Sequence, residues 1–266
     1  MRVERRYLFF LIVLAMCLLC VVGSSQSSTA QQDAPARGVL RLRVRPKIGG
    51  EVKGLARKRF FLIKGSLEEN RALIEKINQT PFTSRDCYYK QIGASDDLIK
   101  WLAESDCESV YCREVEPKFI EGAEAVREFH DAAQKGEKEY GSRELARRWL
   151  TTNLAEAVRD GYYKQQQAVI SVLVKEAEAT TKQSVLSVMT DRNGTAYFTD
   201  LEPGTYVITN LIPAEIKTSR TLWNCEVKVK AGDLATEKPF LISNQKEKNV
   251  KCVAVEQPLP ACEKKS

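Results

Sequence analysis

The sequence has little of what metal and nucleophilic chemistry requires. Its 266 residues include a single histidine, His130. Zinc peptidases bind their metal with two histidines and a carboxylate, so that class of enzyme is excluded, and we interpret His130 as a packing or helix-surface residue. A phosphate-binding glycine loop and a Gly-x-Ser-x-Gly elbow are also missing. We therefore predict no catalytic residue, no metal site and no cofactor, and we expect a protein that is not an enzyme.

A strong charge of one sign is lacking as well. The formal net charge is +6, and the first 23 residues contribute three arginines and one glutamate to it. The rest of the chain is therefore only mildly basic, whereas nucleic-acid-binding domains concentrate many more lysines and arginines. No nucleic-acid partner is expected.

The N-terminus has the three parts of an export signal. The basic segment MRVERR precedes an apolar run from Tyr7 to Gly23, and small and polar residues follow. We interpret residues 1–23 as a signal peptide or an uncleaved membrane anchor, because the run is close to the ~17 residues that span a bilayer. Residues 24–37 read as a linker. The protein is expected in the periplasm, at the cell surface or outside the cell.

Six of the eight cysteines lie beyond the apolar run, and in an exported protein they are candidate disulfide partners. Their connectivity is open. Cys107 and Cys112 are close enough in sequence to bridge each other or Cys87, and a bridge from Cys252 to Cys262 would hold the C-terminal tail. Cys225 is alternatively a packed free thiol. The six candidates are Cys87, Cys107, Cys112, Cys225, Cys252 and Cys262.

The hydrophobic period changes twice along the chain. Alternating residues in VLRLRVR and the apolar run FFLI predict two strands within residues 38–65. Residues 66–180 have helical spacing, beginning with a capping box of Ser66 and Glu69, and about five strands follow. Within the helical part, RDCYYKQ at 85–91 recurs as RDGYYKQ at 159–165. The flanks differ, so we interpret the recurrence as chance or a shared aromatic packing role rather than a duplicated unit.

The segment TDRNGTAYFTDLEPGTYVITN, residues 190–210, predicts two strands and two turns. Asp191 and Gly194 suit a tight turn, because Asp bonds the backbone ahead and Gly tolerates positive φ. Ala196 and Phe198 point to one face. Tyr206 follows the second turn, and we expect its ring to be buried and its hydroxyl to bond the loop backbone, as in a tyrosine corner.

This segment resembles the carboxypeptidase regulatory-like domains, which are similar to transthyretin and to collagen-adhesin B-type repeats. Their pattern T-D-x-x-G-x-x-x-F-x-x-L-x-P-G-x-Y is matched by Thr190, Asp191, Gly194, Phe198, Leu201, Pro203, Gly204 and Tyr206. The resemblance implies a prealbumin-like antiparallel β-sandwich of residues 38–65 plus 181–258. With the all-helical insertion of residues 66–180 that the change of period predicts, and that the family lacks, the fold class is α+β. Residues 259–266 form a tail. The family's sandwich is itself non-catalytic.

Cations on two strands form a candidate anion-binding face. The alternation places them on the outward side of their strands, and they form one patch if the strands are neighbours in one sheet. Such a patch suits an anionic envelope polymer or phospholipid headgroups. The alternative is that these cations only solvate the sheet and protect its edge. The residues are Arg41, Arg43, Arg45, Lys228 and Lys230.

Two functions remain open. In the favoured one, the sandwich is the scaffold of an exported binding or structural module and the helical insertion is the specific part. Its partner is an anionic envelope polymer, the membrane surface or another envelope protein. In the alternative, the protein is an exported hydrolase whose site lies between the insertion and the sandwich. A deep pocket with clustered carboxylates at that place distinguishes the two.

Overall fold

A computed structural model describes residues 36–105, 107–234, 238–245 and 251–262. The predicted signal peptide or anchor and nearly all of the linker lie outside these residues. Over the described part, the chain forms no helix that combines the length and the apolar character needed to cross a membrane. The elements below belong to the unit Arg37–Ser266.

The fold is mixed α+β, with helices grouped between two sets of strands. The strands are β1 Gly38–Val44, β2 Lys47–Ile48, β3 Glu51–Val52, β4 Arg59–Lys64, β5 Leu186–Met189, β6 Thr195–Leu201, β7 Gly204–Thr209, β8 Ala214–Ile216, β9 Ser219–Val229, β10 Phe240–Ile242 and β11 Cys252–Pro258. The helices are α1 Arg71–Gln79, α2 Arg85–Gln91, α3 Asp96–Glu104, α4 Pro117–Ile120, α5 Arg127–Tyr140, α6 Arg143–Arg148, α7 Leu150–Asn153, a π-helical turn Ala157–Gly161, and α8 Tyr162–Thr181.

The strands form two main sheets and a small hairpin. The first sheet has the order β10-β1-β6, in which β1 is parallel to β10 and antiparallel to β6. The second has the order β11-β9-β7-β4-β5, and β8 pairs with β9 outside that path. The two-residue strands β2 and β3 are joined by a Gly-Gly turn, where Gly49 and Gly50 have φ of 60° and 93°.

Three hydrophobic clusters hold these layers together. The first takes side chains from both main sheets, including Leu42 and Phe198 from one and Trp223 from the other. The second lies among the helices around Trp101 and Phe129, which meet edge to face. The third lies between the six-stranded sheet and helices α1 and α8. The six-stranded sheet is therefore covered on both of its faces.

Strand β4 shows why the sheet needs two covers. Phe60 and Leu62 face the first cluster, whereas Phe61 and Ile63 face the helical side. Successive side chains point to opposite faces of a strand, and a run without polar alternation is typical of strands buried on both faces. The sequence FFLI thus accounts for the packing of helices α1 and α8 on this sheet.

The predicted turn of residues 191–195 is confirmed. Asp191 Oδ1 accepts hydrogen bonds of 2.8 Å from the backbone amides of Asn193 and Thr195. The Tyr206 hydroxyl donates a bond of 2.8 Å to the Glu202 carbonyl, and its ring lies in the first cluster. The strand count differs, because four strands precede the helices and seven follow them in the described chain; most of the added ones are only two to four residues long.

The capping box also forms, although the helix begins later than expected. Glu69 Oε2 accepts from the Ser66 amide at 2.6 Å, and the Glu69 amide donates to Ser66 Oγ at 3.2 Å. This closed turn precedes α1, which starts at Arg71. Ser95 caps α3, because its hydroxyl accepts from the Leu98 amide.

Candidate functional site

The structure does not bring the five candidate cations together. Strand β1, which carries Arg41 and Arg43, pairs with β6 and β10 in the three-stranded sheet. Strand β9, which carries Lys228, pairs with β7, β8 and β11 in the other sheet. Both strands turn their apolar residues towards the first cluster between the sheets. The two strands are therefore not neighbours in one sheet, so the condition on which a single patch of the five cations depended is not met.

The six candidate cysteines form three disulfides, Cys87–Cys262, Cys107–Cys112 and Cys225–Cys252. The bridge between Cys107 and Cys112 is one of those expected from spacing. Two other expectations were wrong: Cys225 is not a free thiol, and Cys252 does not pair with Cys262. The physical reason is the sheet register, which places Cys225 directly opposite Cys252 on the neighbouring strand.

Glu215, on strand β8, forms a polar hub between the sheet and the helices. Its Oε1 atom accepts a hydrogen bond of 2.9 Å from the Tyr162 hydroxyl and one of 2.6 Å from the backbone amide of Arg85. Burial raises the pKa of Glu215, while both hydrogen bonds and the positive charges of Arg85 and Lys58 act in the opposite direction. The hub therefore fixes the starts of helices α2 and α8 to one strand.

The two copies of the RD-x-YYKQ motif pack against each other beside this hub. The ring of Tyr162, from the second copy, lies 5.6 Å from that of Tyr88 and 6.4 Å from that of Tyr89. The hydroxyls of Tyr88 and Tyr89 donate to the carbonyls of Ala157 and Val158 in the π-helical turn. The motif thus has the aromatic packing role that was one of its two interpretations.

Gly161 explains why the two copies differ at their third position. A Cβ atom at Gly161 would lie 2.0 Å from the Tyr88 hydroxyl oxygen. The first copy has Cys87 at the equivalent place, and that side chain forms the disulfide to Cys262. One copy therefore provides a close approach of helix backbone to a tyrosine, and the other provides a covalent link.

A cleft opens near the hub, where α8 passes the ends of β4 and β5; we call it the junction cleft. Its charged lining consists of Arg57, Lys58, Arg59 and Glu108. Lys58 is buried and its ammonium lies 2.6 Å from Glu108 Oε1. The remaining lining residues are Tyr163, Gln166, Gln167, Ile170, Met189, Asn210, Ile212, Pro213 and Ala214.

The cavity volume of the junction cleft is about 60 Å³. A water molecule occupies ~30 Å³ in the liquid, and pockets that enclose whole small molecules measure ~300–1,000 Å³. The cleft therefore has room for water or for one small polar group, and its lining has more cations than carboxylates. Across the residues that the structure describes, no three His, Cys, Asp or Glu side chains are grouped as metal ligands.

Sequence reasoning missed this cleft, although one signal for it was visible. The run of cations at Arg57, Lys58 and Arg59 directly precedes the apolar run FFLI. Glu215 and Tyr162 gave no local signal, because they are 53 positions apart and meet only in the folded chain. His130 makes its contacts within the helical part, with the Ile120 carbonyl and Gln134.

The comparisons add no relative to these observations. No protein-family model, no curated protein and no solved structure matches this chain.

Proposed function

We propose that this protein is an exported, non-enzymatic binding or structural module. Its two main sheets act as a prealbumin-like sandwich of the carboxypeptidase regulatory-like kind, and the helical segment is the specific part. The bonds of Asp191 and Tyr206 support the resemblance, since both are what the family's turn pattern implies. Three disulfides favour an oxidising, exported compartment.

The observation that carries the proposal is the attachment of the helices to the sheet. A disulfide joins Cys87 in α2 to Cys262 in the chain that follows β11, and the Glu215 hub adds hydrogen bonds to α2 and α8. A surface held in this way loses little conformational freedom when a partner binds, and such preorganisation increases affinity. A rigid helical surface on a β scaffold is therefore suited to recognition.

The hydrolase alternative has one observation in its favour. Burial raises the pKa of Glu215, and a carboxylic acid with a raised pKa is what general acid catalysis uses. Against this, Glu215 Oε1 already accepts two hydrogen bonds within the protein, and the junction cleft is several times smaller than pockets that enclose a substrate. We therefore favour the binding function.

Capture followed by chemical cross-linking tests the proposal. The purified chain is used as bait in an extract of the envelope and medium of the producing cells, and lysine cross-links to captured partners are mapped by mass spectrometry. We expect cross-links at helical lysines such as Lys118 and Lys164, which are half exposed or more. Cross-links confined to Lys228 and Lys230 would contradict a helical recognition surface, and catalytic turnover of captured polymers would contradict a non-enzymatic function.

A further inference from the structure

The cations of the junction cleft are consecutive in sequence and yet line one cavity. In a regular strand, Arg57, Lys58 and Arg59 would alternate between opposite faces. Arg57 instead has φ of 56°, a left-handed conformation that is uncommon outside glycine, asparagine and aspartate. This residue breaks the alternation just before β4, and all three residues contribute to the cleft lining.

Two of these cations keep most of their hydrogen-bonding capacity. Arg57 Nη1 donates to the Cys112 carbonyl at 3.4 Å, and Arg59 Nη1 donates to Ser187 Oγ at 3.2 Å. Both acceptors are neutral. Over the described ranges of the chain, neither guanidinium has a carboxylate oxygen within 4.0 Å. Each guanidinium has five donors in a planar fork that matches the two oxygens of a carboxylate.

Helix α8 supplies the opposite wall of the cleft. Tyr163, Gln166, Gln167 and Ile170 have the spacing i, i+3, i+4 and i+7, which places them on one helix face. The Tyr163 side chain is 43% exposed, so its ring is open to a ligand. Amides of glutamine both donate to and accept from hydroxyls, and an aromatic ring packs against the C–H face of a sugar. Charge, amides and a ring thus surround one opening.

We propose that the junction cleft binds a carboxylate group of an acidic saccharide, with the carboxylate between Arg57 and Arg59 and the sugar ring over Tyr163. The inference rests on the proposed binding function and names its ligand class. The cavity volume of about 60 Å³ admits the charged group alone, so the rest of the sugar chain lies across the opening. Lys58 remains buried and paired with Glu108, so the two arginines are the cations that contact the carboxylate.

A membrane surface fits this cleft less well than a saccharide does. Anionic bilayers are bound by clusters of about 4–8 lysines and arginines, whereas the lining of this cleft has three cations beside one carboxylate, Glu108. The neighbouring Gln166 and Gln167 are polar groups that suit hydroxyls better than acyl chains. Binding of lipid in place of sugar is therefore an outcome that the test must detect.

The test measures binding of the exported chain to uronate oligomers by isothermal titration calorimetry at low salt. The probes are oligomers of galacturonate, hyaluronate and alginate, and the matched neutral probe is methyl-esterified oligogalacturonate. We expect at least one acidic oligomer to bind, and its affinity to fall as added salt screens the charges. If oligogalacturonate binds, its methyl-esterified form should bind at least tenfold more weakly.

Two cleft variants and one matched control locate the site. Arg57→Asn keeps a residue type that tolerates positive φ, and Arg59→Gln removes the second guanidinium; each is expected to weaken binding about tenfold, which is about 1.4 kcal/mol. Tyr163→Leu removes the ring and is expected to weaken binding severalfold. The control Arg43→Gln removes an exposed arginine from the other sheet, and its affinity should stay within twofold of the parent.

Four results would overturn the inference: no binding of any acidic oligomer, equal affinity for the esterified form, equal loss in the Arg43→Gln control, or binding to phosphatidylserine vesicles without binding to oligomers. The same titration separates this inference from the proposed function. Shortening of the oligomers, seen by mass spectrometry, would contradict the non-enzymatic proposal even if they bind in the cleft. If the Arg57→Asn and Arg59→Gln variants still capture the partner, the proposed binding function is supported, but the junction cleft is not its binding site.

Discussion

The Tyr162 hydroxyl donates a hydrogen bond of 2.9 Å to Glu215 Oε1, and this bond ties the 20-residue helix α8 to the three-residue strand β8. The backbone amide of Arg85 donates to the same oxygen. The starts of two helices that are far apart in sequence thus converge on one carboxylate. Substitutions of Tyr162 and Glu215 therefore test how strongly the helices are attached to the sheet.

Removal of the Tyr162 hydroxyl is expected to weaken this attachment. In Tyr162→Phe the ring keeps its contacts with Tyr88 and Tyr89, while Glu215 loses one donor. A hydrogen bond to a charged or buried acceptor contributes about 1–3 kcal/mol, so the free energy of unfolding should fall by that amount. The matched control is Tyr163→Phe at the exposed neighbour, which should change it by less than about 0.5 kcal/mol. Equal effects in urea unfolding would argue against the hub.

Replacement of Glu215 by glutamine is expected to change how stability depends on pH. Burial raises the pKa of Glu215 in the folded state above the ~4.3 of an unfolded glutamate. The contribution of this group to stability is therefore fully present below the unfolded pKa and is lost as pH rises through the folded pKa. Tyr162, Arg85 and Lys58 face the group and limit the shift without reversing it.

Glu215→Gln keeps an oxygen that accepts from Tyr162 and Arg85 and has no proton to lose. Its stability relative to the parent should therefore improve between pH 4 and pH 8, measured by urea unfolding at each pH. The difference between the two proteins isolates Glu215 from other titrating groups. A difference that stays constant over this range, or that moves in favour of the parent, would contradict the raised pKa.

Gly161 tests the contact between the two tyrosine motifs. Its backbone φ of −61° suits alanine, so Gly161→Ala perturbs only the space occupied by the Tyr88 hydroxyl. We expect a loss of about 1–3 kcal/mol from overpacking. The added substitution Tyr88→Phe removes the clashing oxygen and should recover part of the loss. If the changes in melting temperature of the two single variants simply add in the double variant, the close approach of Gly161 to the Tyr88 hydroxyl is not present.

Whether the sheets still fold after the helical segment is removed is expected to depend on which residues are deleted. The sequence alone suggests that residues 66–180 are excisable as a unit, but α1 and α8 cover Phe61, Ile63 and Val207 on the six-stranded sheet. Replacing residues 66–180 by a Gly-Ser linker exposes that face and should leave an unfolded or aggregating chain. Replacing only residues 82–157, with Cys262→Ser, keeps both covering helices and should leave a cooperative unfolding transition. Cooperative folding of the shorter chain, without residues 66–180, would show that the cover is dispensable.

Local rules predicted the parts of this fold whose partners are near in sequence. The Asp191 turn and the Ser66–Glu69 capping box each depend on residues two to four positions apart. Tyr206 and its Glu202 acceptor are four positions apart as well. The α+β class followed from the change of hydrophobic period. These interactions are decided by short-range geometry, which periodicity and turn chemistry describe.

The parts that escaped prediction depend on pairing across the chain. The parallel contact of β1 with β10 separates Arg41 from Lys228, and nothing in either strand's own alternation indicates it. The Cys225–Cys252 bridge follows from strand register, which a list of cysteines does not contain. The run FFLI did hold a signal that was not used: an apolar strand without alternation needs a cover on both faces.

Disulfide mapping of the unreduced, exported protein tests the account most directly, because the account requires both export and covalent attachment of the helices. Peptide mass spectrometry should find Cys87 linked to Cys262, Cys107 to Cys112 and Cys225 to Cys252. Finding all six thiols free would contradict an oxidising location, and a Cys252–Cys262 link would contradict the attachment of α2 to the C-terminal segment.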